Sequence, residues 1–109
     1  MEIKDIIQKN LKSGQTLRNW TPKNDYFGDD IIITKIDDSG VSFEAPNKKK
    51  NTSTKGKVSY SSIEQVYSFW DKIKNKEISR TQYTNEGIKS RSTRYILDIL
   101  KELDVQHLI

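Results

Sequence analysis

The sequence predicts an α+β fold in which a small antiparallel sheet packs against helices from both ends of the chain. Apolar residues recur at helical spacing near the N-terminus, β-branched and alternating residues follow, and helical spacing returns in the C-terminal part. Leu, Ile, Val and Phe make up 27 of the 109 residues. That is enough apolar material for one core but not for two, so we expect a single domain over residues 1–109.

The first predicted element is an amphipathic helix over residues 2–13. Its apolar residues lie at the spacing of one helical face, and Gly14 follows as a stop signal. Residues 15–30 show no sustained periodicity, and we expect an ordered connector there whose apolar side chains anchor it to the core. The expected anchors are Leu17, Trp20, Tyr26 and Phe27.

Strand patterns occupy the middle of the chain, from about residue 30 to residue 60. The β-branched run Ile31–Ile36 is followed by turn residues at Asp37–Gly40 and by alternating apolar and polar residues over Val41–Glu44. A third strand, Lys57–Tyr60, lies beyond a long polar loop. We therefore expect a three-stranded antiparallel meander over about residues 30–60.

Helical spacing returns after the third strand. Ser61 and Ser62 stand three residues before Glu64 and Gln65, which is the spacing of a capping box, so we expect a helix to begin there. Its apolar residues continue at helical spacing through Ile73.

Further helices are expected toward the C-terminus, so that the helical part covers about residues 62–104. A short helix begins at Ser79, and a longer one has Ser90 or Ser92 as its N-cap and an apolar face that continues through Leu103. Two helices at this spacing resemble a helix-turn-helix, in which the first turn of the second helix contacts DNA.

The formal net charge of +4 is distributed unevenly along the chain. Residues 48–94 carry twelve Lys or Arg against four Asp or Glu, a balance of +8, whereas residues 1–47 and 95–109 each have a balance of −2. Segregated positive charge suits a surface that follows a phosphate backbone, because each neutralised phosphate releases counterions. A solvated lysine-rich surface is the alternative interpretation.

Two clusters make up this positive excess. The first lies in the polar loop between the second and third predicted strands, where it acts either as an electrostatic arm or as a solubilising loop. The second surrounds the first turn of the last predicted helix, where arginines, hydroxyls and free N–H groups would bind a phosphate unless the arginines pair with nearby acids. The predicted nucleic-acid-binding residues are Lys48, Lys49, Lys50, Lys55, Lys57, Arg80, Lys89, Arg91, Ser92, Arg94 and Tyr95.

No catalytic constellation is recognisable in the sequence. The chain has no cysteine and one histidine, His107, which excludes a thiolate nucleophile and a zinc site built from cysteines or several histidines. The acidic doublets Asp29–Asp30 and Asp37–Asp38 lack the Glu-x-Lys sequence that a metal-dependent nuclease would need, and no phosphate loop or dinucleotide fingerprint is present. We expect no enzyme, with no catalytic residues, metal ligands or cofactor.

The sequence also predicts no contact with a membrane. No apolar run approaches the ~18 residues that a membrane-spanning helix needs. The N-terminus lacks the basic flank and apolar stretch of a signal peptide. We therefore expect a cytoplasmic protein.

The C-terminal half follows a pattern of strand, helix, Ile-Ser-Arg turn and Ser-x-x-Tyr-Ile helix. The residues that carry it are Val58–Val66, Glu77–Arg80 and Arg91–Leu100. This pattern is similar to small non-catalytic domains attached to bacterial restriction and other defence nucleases. The resemblance implies a module that accompanies a larger nuclease or helicase and helps it to contact DNA.

These observations together predict a non-catalytic nucleic-acid-binding module, with double-stranded DNA as the expected partner. Such a module would be accessory to a restriction, defence or mobile-element system. The alternative is a protein–protein interaction module, an inhibitor or adaptor, whose basic surface contacts an acidic partner.

Overall fold

The structure, a computed structural model, describes residues 2–79 and 90–109 and, at Ser90 and Arg91, the backbone alone. Its architecture is α+β, as predicted from the sequence. The elements in chain order are α1 (Ile3–Asn10), β1 (Thr16–Leu17), β2 (Trp20–Thr21), β3 (Asp25–Tyr26), β4 (Ile31–Ile36), β5 (Gly40–Asn47), β6 (Thr52–Ser59), α2 (Tyr60–Tyr67), α3 (Trp70–Lys74) and α4 (Ser90–Val105).

The strands form two separate antiparallel units. One is a sheet with the order β1-β4-β5-β6, and the other is a ribbon formed by β2 and β3. The predicted three-stranded meander is the β4-β5-β6 part of the sheet. Strand β1 and the ribbon arise from the segment predicted as a connector, because pairs of two residues are too short to show an alternating pattern.

Strands β5 and β6 are longer than predicted. They pair from Gly40 with Ser59 to Asn47 with Thr52, so that only Lys48–Asn51 remains as a turn. The predicted polar loop is therefore mostly strand. Its threonines, serines and lysines give little apolar signal, although they form a continuous ladder with β5.

Helix α2 begins earlier than the capping-box spacing predicts. Ser59, the last residue of β6, is its N-cap, and the Ser59 hydroxyl accepts a hydrogen bond from the N–H of Ser62 at 3.2 Å. Ser61 and Ser62, the expected caps, lie inside the first turn. Because three serines stand within four residues, spacing alone does not select among them.

The helix predicted to continue through Ile73 is divided into two. Helix α2 ends at Tyr67 and α3 begins at Trp70. Between them the Ser68 hydroxyl donates to the carbonyl of Gln65 at 2.6 Å, a local bond that competes with helical pairing. The apolar spacing continues across this break, which is why the sequence pattern does not reveal it.

Helix α1 is also shorter than predicted. It ends at Asn10, whose side-chain nitrogen donates to the carbonyl of Ile6 at 2.8 Å, and Leu11 is already extended. Gly14 belongs to the following turn, where its φ of +89° lets its N–H reach the carbonyl of Ile33 at 2.7 Å. Gly14 therefore lies in the turn that connects α1 to the sheet.

The core lies between the inner face of the sheet and the helices. Trp20 of the ribbon meets Trp70 of α3 with ring centroids 5.6 Å apart. Along α4, every position from Ile96 to Leu100 is buried. Because successive helical residues turn by about 100°, five buried positions in a row cover the whole circumference of the helix.

Phe43 connects β5, β6 and α4. Its ladder partner is Gly56, where an added Cβ would lie 2.8 Å from the Phe43 ring. The Phe43 ring also stacks with Tyr95, with centroids 4.0 Å apart. The absence of a side chain at Gly56 thus allows the first turns of α4 to pack on the sheet through this aromatic pair.

We expect Gly56→Ala to lower the free energy of unfolding by about 1–3 kcal/mol, because the added methyl group overpacks the Phe43 ring. Urea unfolding followed by tryptophan fluorescence measures this change. Lys55→Ala, at the neighbouring exposed position, is the control and should change stability by less than about 0.5 kcal/mol. Equal stabilities of the two variants would contradict the packing of Phe43 on Gly56.

Candidate functional site

A cleft of about 540 Å³ opens between the β2-β3 ribbon, the segment that follows α3, and the side of α4. Pockets that bind small ligands have volumes of about 300–1,000 Å³. The cleft is lined by three cationic side chains, Lys23, Lys76 and Arg94, together with the apolar side chains of Phe27 and Ile78. It therefore combines positive charge with an apolar surface.

The turn of the ribbon positions Lys23. Thr21 pairs with Asp25 across the ribbon, which leaves Pro22–Asn24 as the turn. The N–H of Asn24 donates to the Thr21 hydroxyl at 3.2 Å, and Asp25 closes the turn with a φ of +53°. This turn holds the exposed lysine at the rim of the cleft.

Lys76 stands at the left-handed position of a Schellman motif that ends α3. The N–H of Glu77 donates to the carbonyl of Lys72 at 2.8 Å, and the N–H of Lys76 donates to the carbonyl of Ile73 at 3.1 Å. Lys76 itself has a φ of +61°. Glycine is the usual residue here, and a side chain in this conformation costs about 1 kcal/mol. The fold thus retains a strained lysine at the edge of the cleft.

Arg94 is held in place by a buried amide. Its Nε donates to Oδ1 of Asn19 at 3.3 Å, and its guanidinium lies 5.6 Å from the centre of the Phe27 ring. Asn19 is only 1% exposed, and its carbonyl accepts the N–H of Phe27 at 3.1 Å. One buried asparagine therefore positions both the cation and the aromatic ring of the cleft.

Gly28 allows the chain to pass close to this pair. It has a φ of +69°, and an added Cβ would lie 3.3 Å from the side-chain nitrogen of Asn19 and 3.9 Å from the guanidinium of Arg94. A side chain here would be strained by the backbone conformation and would crowd the asparagine.

The three cations of the cleft form no ion pair with an acid among the residues that the structure describes. In the described part of the chain, ion pairs form at Lys35, Lys57 and Lys74, and none involves a cleft lysine or Arg94. The cleft therefore presents its positive charge to an incoming ligand.

Asp98 lies beside Arg94, one turn further along α4. Its carboxyl is 1% exposed, Oδ1 accepts the N–H of Trp20 at 2.8 Å, and Oδ2 has no hydrogen-bond partner among residues 2–79 and 90–109. Burial raises the pKa of Asp98 to about 7, although the Trp20 N–H and the charge of Arg94 act in the opposite direction. The carboxyl thus titrates near neutral pH.

Lys48, Lys49 and Lys50 occupy the exposed tip of the β5-β6 hairpin. The N–H of Lys48 donates to the carboxylate of Asp29 at 2.9 Å. Asp29 follows Phe27 by two residues, a distance that the chain spans in at most about 7 Å. The tip lysines and the cleft therefore lie at the same end of the molecule.

Lys55 and Lys57 lie elsewhere, on the outer face of the sheet. Gly56, between them, faces Phe43 and the helices, and adjacent strand residues point to opposite faces. The predicted loop cluster is thus divided by the pleat of β6. Two of its lysines do not share a surface with the cleft.

Lys57 is in addition engaged by a turn at the far end of the sheet. Its Nζ lies 3.0 Å from a carboxylate oxygen of Asp37 and also bonds to the Ser39 hydroxyl. Hydrogen bonds from Ser39 and from Lys57 hold the pKa of Asp37 well below its usual range. Lys57 therefore has an internal structural partner that the sequence pattern did not indicate.

The remaining predicted residues belong to α4 and the segment before it. Tyr95 is half-buried against Phe43, so packing occupies its ring, and Ser92 is half-buried inside the helix and is not its N-cap. Arg80, Lys89 and the short helix predicted from Ser79 lie outside the described residues, as does the side chain of Arg91. The predictions on them are not tested by the structure.

Helix α4 differs from the recognition helix of a helix-turn-helix. Its middle, from Ile96 to Leu100, is buried on all sides, whereas Arg94 near its start is exposed. A recognition helix needs an exposed face to lie in the major groove of DNA. The middle of α4 is therefore not available for such a contact.

Sequence reasoning did not identify the cleft. It assigned Tyr26 and Phe27 to the core, but these side chains are 37% and 40% exposed. Arg18 lies 3.8 Å from the centre of the Tyr26 ring, as Arg94 lies over Phe27. The sequence signal that indicates exposed rings is the position of Tyr26 and Phe27 as adjacent aromatics in a polar segment without alternating apolar residues.

The described residues contain neither a membrane-spanning helix nor a cluster of metal ligands. Within the residues that the structure describes, no helix is long and apolar enough to cross a membrane. Over the same two ranges, no three acidic or histidine side chains are grouped so as to hold a metal ion.

Comparisons with known proteins identify no relative. No protein-family model matches the chain, and neither a curated protein nor a solved structure matches it. The similarity of the C-terminal half to domains attached to defence nucleases stays a prediction from its residue pattern.

We expect the stability of the wild type to fall as the pH rises from 5 to 8. The unfolded Asp98 has an ordinary pKa of 3.8 and the folded one a pKa of about 7, so near pH 5 only the folded state holds the proton, and this advantage is lost as the pH rises through 7. The expected loss is on the order of 2 kcal/mol.

Urea unfolding at several pH values, applied to Asp98→Asn, isolates this contribution. The amide oxygen can still accept the N–H of Trp20, and it does not titrate, so the variant should lose less stability between pH 5 and 8. Asp5→Asn, on the exposed side of α1, is the control and should keep the wild-type profile. Parallel profiles for all three proteins would contradict the assignment to Asp98.

Proposed function

We propose that this chain is a non-catalytic nucleic-acid-binding module whose contact surface is the cleft together with the tip of the β5-β6 hairpin. The observation that carries the proposal is the convergence of Lys23, Lys76 and Arg94 on a cleft with an apolar lining. In the described part of the chain, none of these cations forms an ion pair, although Asp98 lies beside Arg94. Neutralising phosphates with such cations supplies most of the affinity in sequence-independent nucleic-acid binding.

The hairpin tip extends this charge beyond the cleft. Lys48–Lys50 are exposed and tethered through Asp29 to the segment that lines the cleft. A backbone that leaves the cleft toward this end would meet three further lysines. Phosphates are spaced a few ångströms apart along a strand, so several cations at one end of the molecule can act on the same strand.

Preorganisation of the cleft also favours a binding role. Asn19 fixes Arg94 through its Nε, and the terminal nitrogens of the guanidinium form no hydrogen bond with residues 2–79 or 90–109. Lys76 occupies a backbone position where glycine would be less strained. Strain and buried polar contacts of this kind accumulate at functional sites, where they reduce the ordering that binding requires.

The sequence resemblance to domains attached to defence nucleases suggests the larger protein or complex in which such a module would act. A non-catalytic module of this kind would bring an attached or associated nuclease or helicase to DNA. The alternative, a protein-interaction module for an acidic partner, would use the same cations. Stacking surfaces beside cations are typical of nucleic-acid sites.

We expect the double variant Lys23→Ala/Lys76→Gly to bind oligonucleotides about tenfold more weakly at low salt, because two phosphate contacts are lost. The slope of log affinity against log salt should fall in magnitude by about 1.4–1.8. Fluorescence anisotropy with labelled single- and double-stranded DNA measures both quantities.

The matched control is Lys9→Ala/Lys12→Ala, which removes the same charge from exposed positions of the α1 region. That region lies at the opposite end of the sheet from the hairpin tip, since Gln8 contacts the carbonyl of Asp37 in the β4-β5 turn. The control should change affinity less than twofold. No binding by the wild type at low salt, equal losses in the two variants, or equal binding of polyglutamate at matched charge would contradict the proposal.

Stability and binding can be separated at Lys76. Glycine at the left-handed position should raise the free energy of unfolding by about 0.5–1 kcal/mol while the loss of the cation weakens binding. His107 occupies the equivalent position at the end of α4, with a φ of +59°, and does not line the cleft. His107→Gly should give the same stabilisation with unchanged affinity, and weaker binding by both variants would assign the effect to the backbone.

A further inference from the structure

We infer that the cleft holds one unpaired nucleotide, with its base against Phe27 and its phosphate bound by Arg94 and Lys76. This inference rests on the proposed function and specifies its ligand: a single strand or a strand end, as opposed to a continuous duplex. The cleft volume of about 540 Å³ suits a ligand of this size.

Phe27 supplies the stacking surface. Its ring is 40% exposed although it lines a cleft whose other apolar members, Ile78 and Leu97, are more deeply buried. The hydrogen bond of the Phe27 N–H to Asn19 fixes the backbone that carries the ring at the cleft. Aromatic side chains held in this way receive the faces of unpaired bases whatever their sequence.

The cations stand where the phosphate of such a nucleotide would be bound. The Arg94 guanidinium lies 5.6 Å from the centre of the Phe27 ring, and Lys76 and Lys23 line the same cleft. A nucleotide joins its base to its phosphate through one sugar, so stacking and phosphate binding are required within a short distance of each other. The cleft provides both within that distance.

A duplex would not present these groups to the cleft. Paired bases are stacked on their neighbours, and an enzyme or binding protein must extrude a base before a pocket can receive it. Groove binding by a recognition helix would need an exposed helical face, and the middle of α4 is buried all around. The cleft is therefore suited to bases that are already unpaired.

Tyr26 offers a matched control for Phe27. The two rings are adjacent in sequence, similarly exposed and each accompanied by an arginine, Arg18 in one case and Arg94 in the other. Phe27 lines the cleft and Tyr26 does not. Replacing either residue with alanine removes a ring of similar exposure. Only the replacement of Phe27 should affect a ligand in the cleft.

The test compares four labelled probes at 150 mM salt: a blunt DNA duplex, the same duplex with a four-nucleotide overhang, a single-stranded DNA and a single-stranded RNA. We expect the overhang and the single strands to bind the wild type at least tenfold more tightly than the blunt duplex. Phe27→Ala should remove most of this preference, Phe27→Trp should keep it, and Tyr26→Ala should leave it within twofold.

The outcomes separate this inference from the proposed function. Normal salt-dependent binding of the blunt duplex with no preference for unpaired probes overturns the inference and leaves the function standing. Equal losses in Phe27→Ala and Tyr26→Ala also overturn it. No binding of any probe at low salt overturns both. Competition by a nucleoside monophosphate as effective as the overhang itself would assign the site to a free nucleotide and overturn the strand assignment.

Discussion

The fold of the candidate site depends on one buried contact, the docking of α4 on the β2-β3 ribbon. The carboxyl of Asp98 accepts a hydrogen bond from the N–H of Trp20 at 2.8 Å. Asn19, which precedes Trp20, accepts a hydrogen bond from Arg94 of the same helix. An isolated two-stranded ribbon is marginally stable at best, and the strands of this one have two residues each. The ribbon therefore has a defined position because the helix fixes it, and the cleft forms between them.

This contact requires buried polar groups that an apolar core would avoid. In the described part of the chain, Asn19 Nδ2, Trp70 Nε1 and Asp98 Oδ2 have no hydrogen-bond partner, and each such group costs free energy. Two of the three belong to the residues that join α4 to the ribbon. These unpartnered polar groups and the strained backbone of Lys76 each lower the stability of the fold, and they lie around the same cleft. Such a concentration of local strain is typical of functional sites.

Sequence reasoning predicted the elements with sustained periodicity and missed those without it. The existence and type of α4 and of the three strands of the β4-β5-β6 meander were predicted correctly from helical, β-branched or alternating patterns, whereas the polar residues that extend β5 and β6 to the hairpin tip were predicted as a loop. The ribbon was missed because its strands are too short to carry a pattern, and the cleft because it depends on Trp20 and Asp98, which are 78 residues apart. Lys57 was misjudged for the same reason, since its partner Asp37 belongs to another strand end.

The charge of a sequence segment does not predict the charge of any one surface of the folded chain. The middle segment has a balance of +8, but the fold divides its described lysines among the hairpin tip, the outer face of the sheet, α3 and the cleft. Lys23, a cleft cation, comes from the N-terminal segment, whose balance is −2. An anion responds to the charges within about a Debye length, some 8–10 Å, of its position. The three cations of the cleft, which form no ion pair in the described part of the chain, therefore matter more for binding than the net charge of any stretch of sequence.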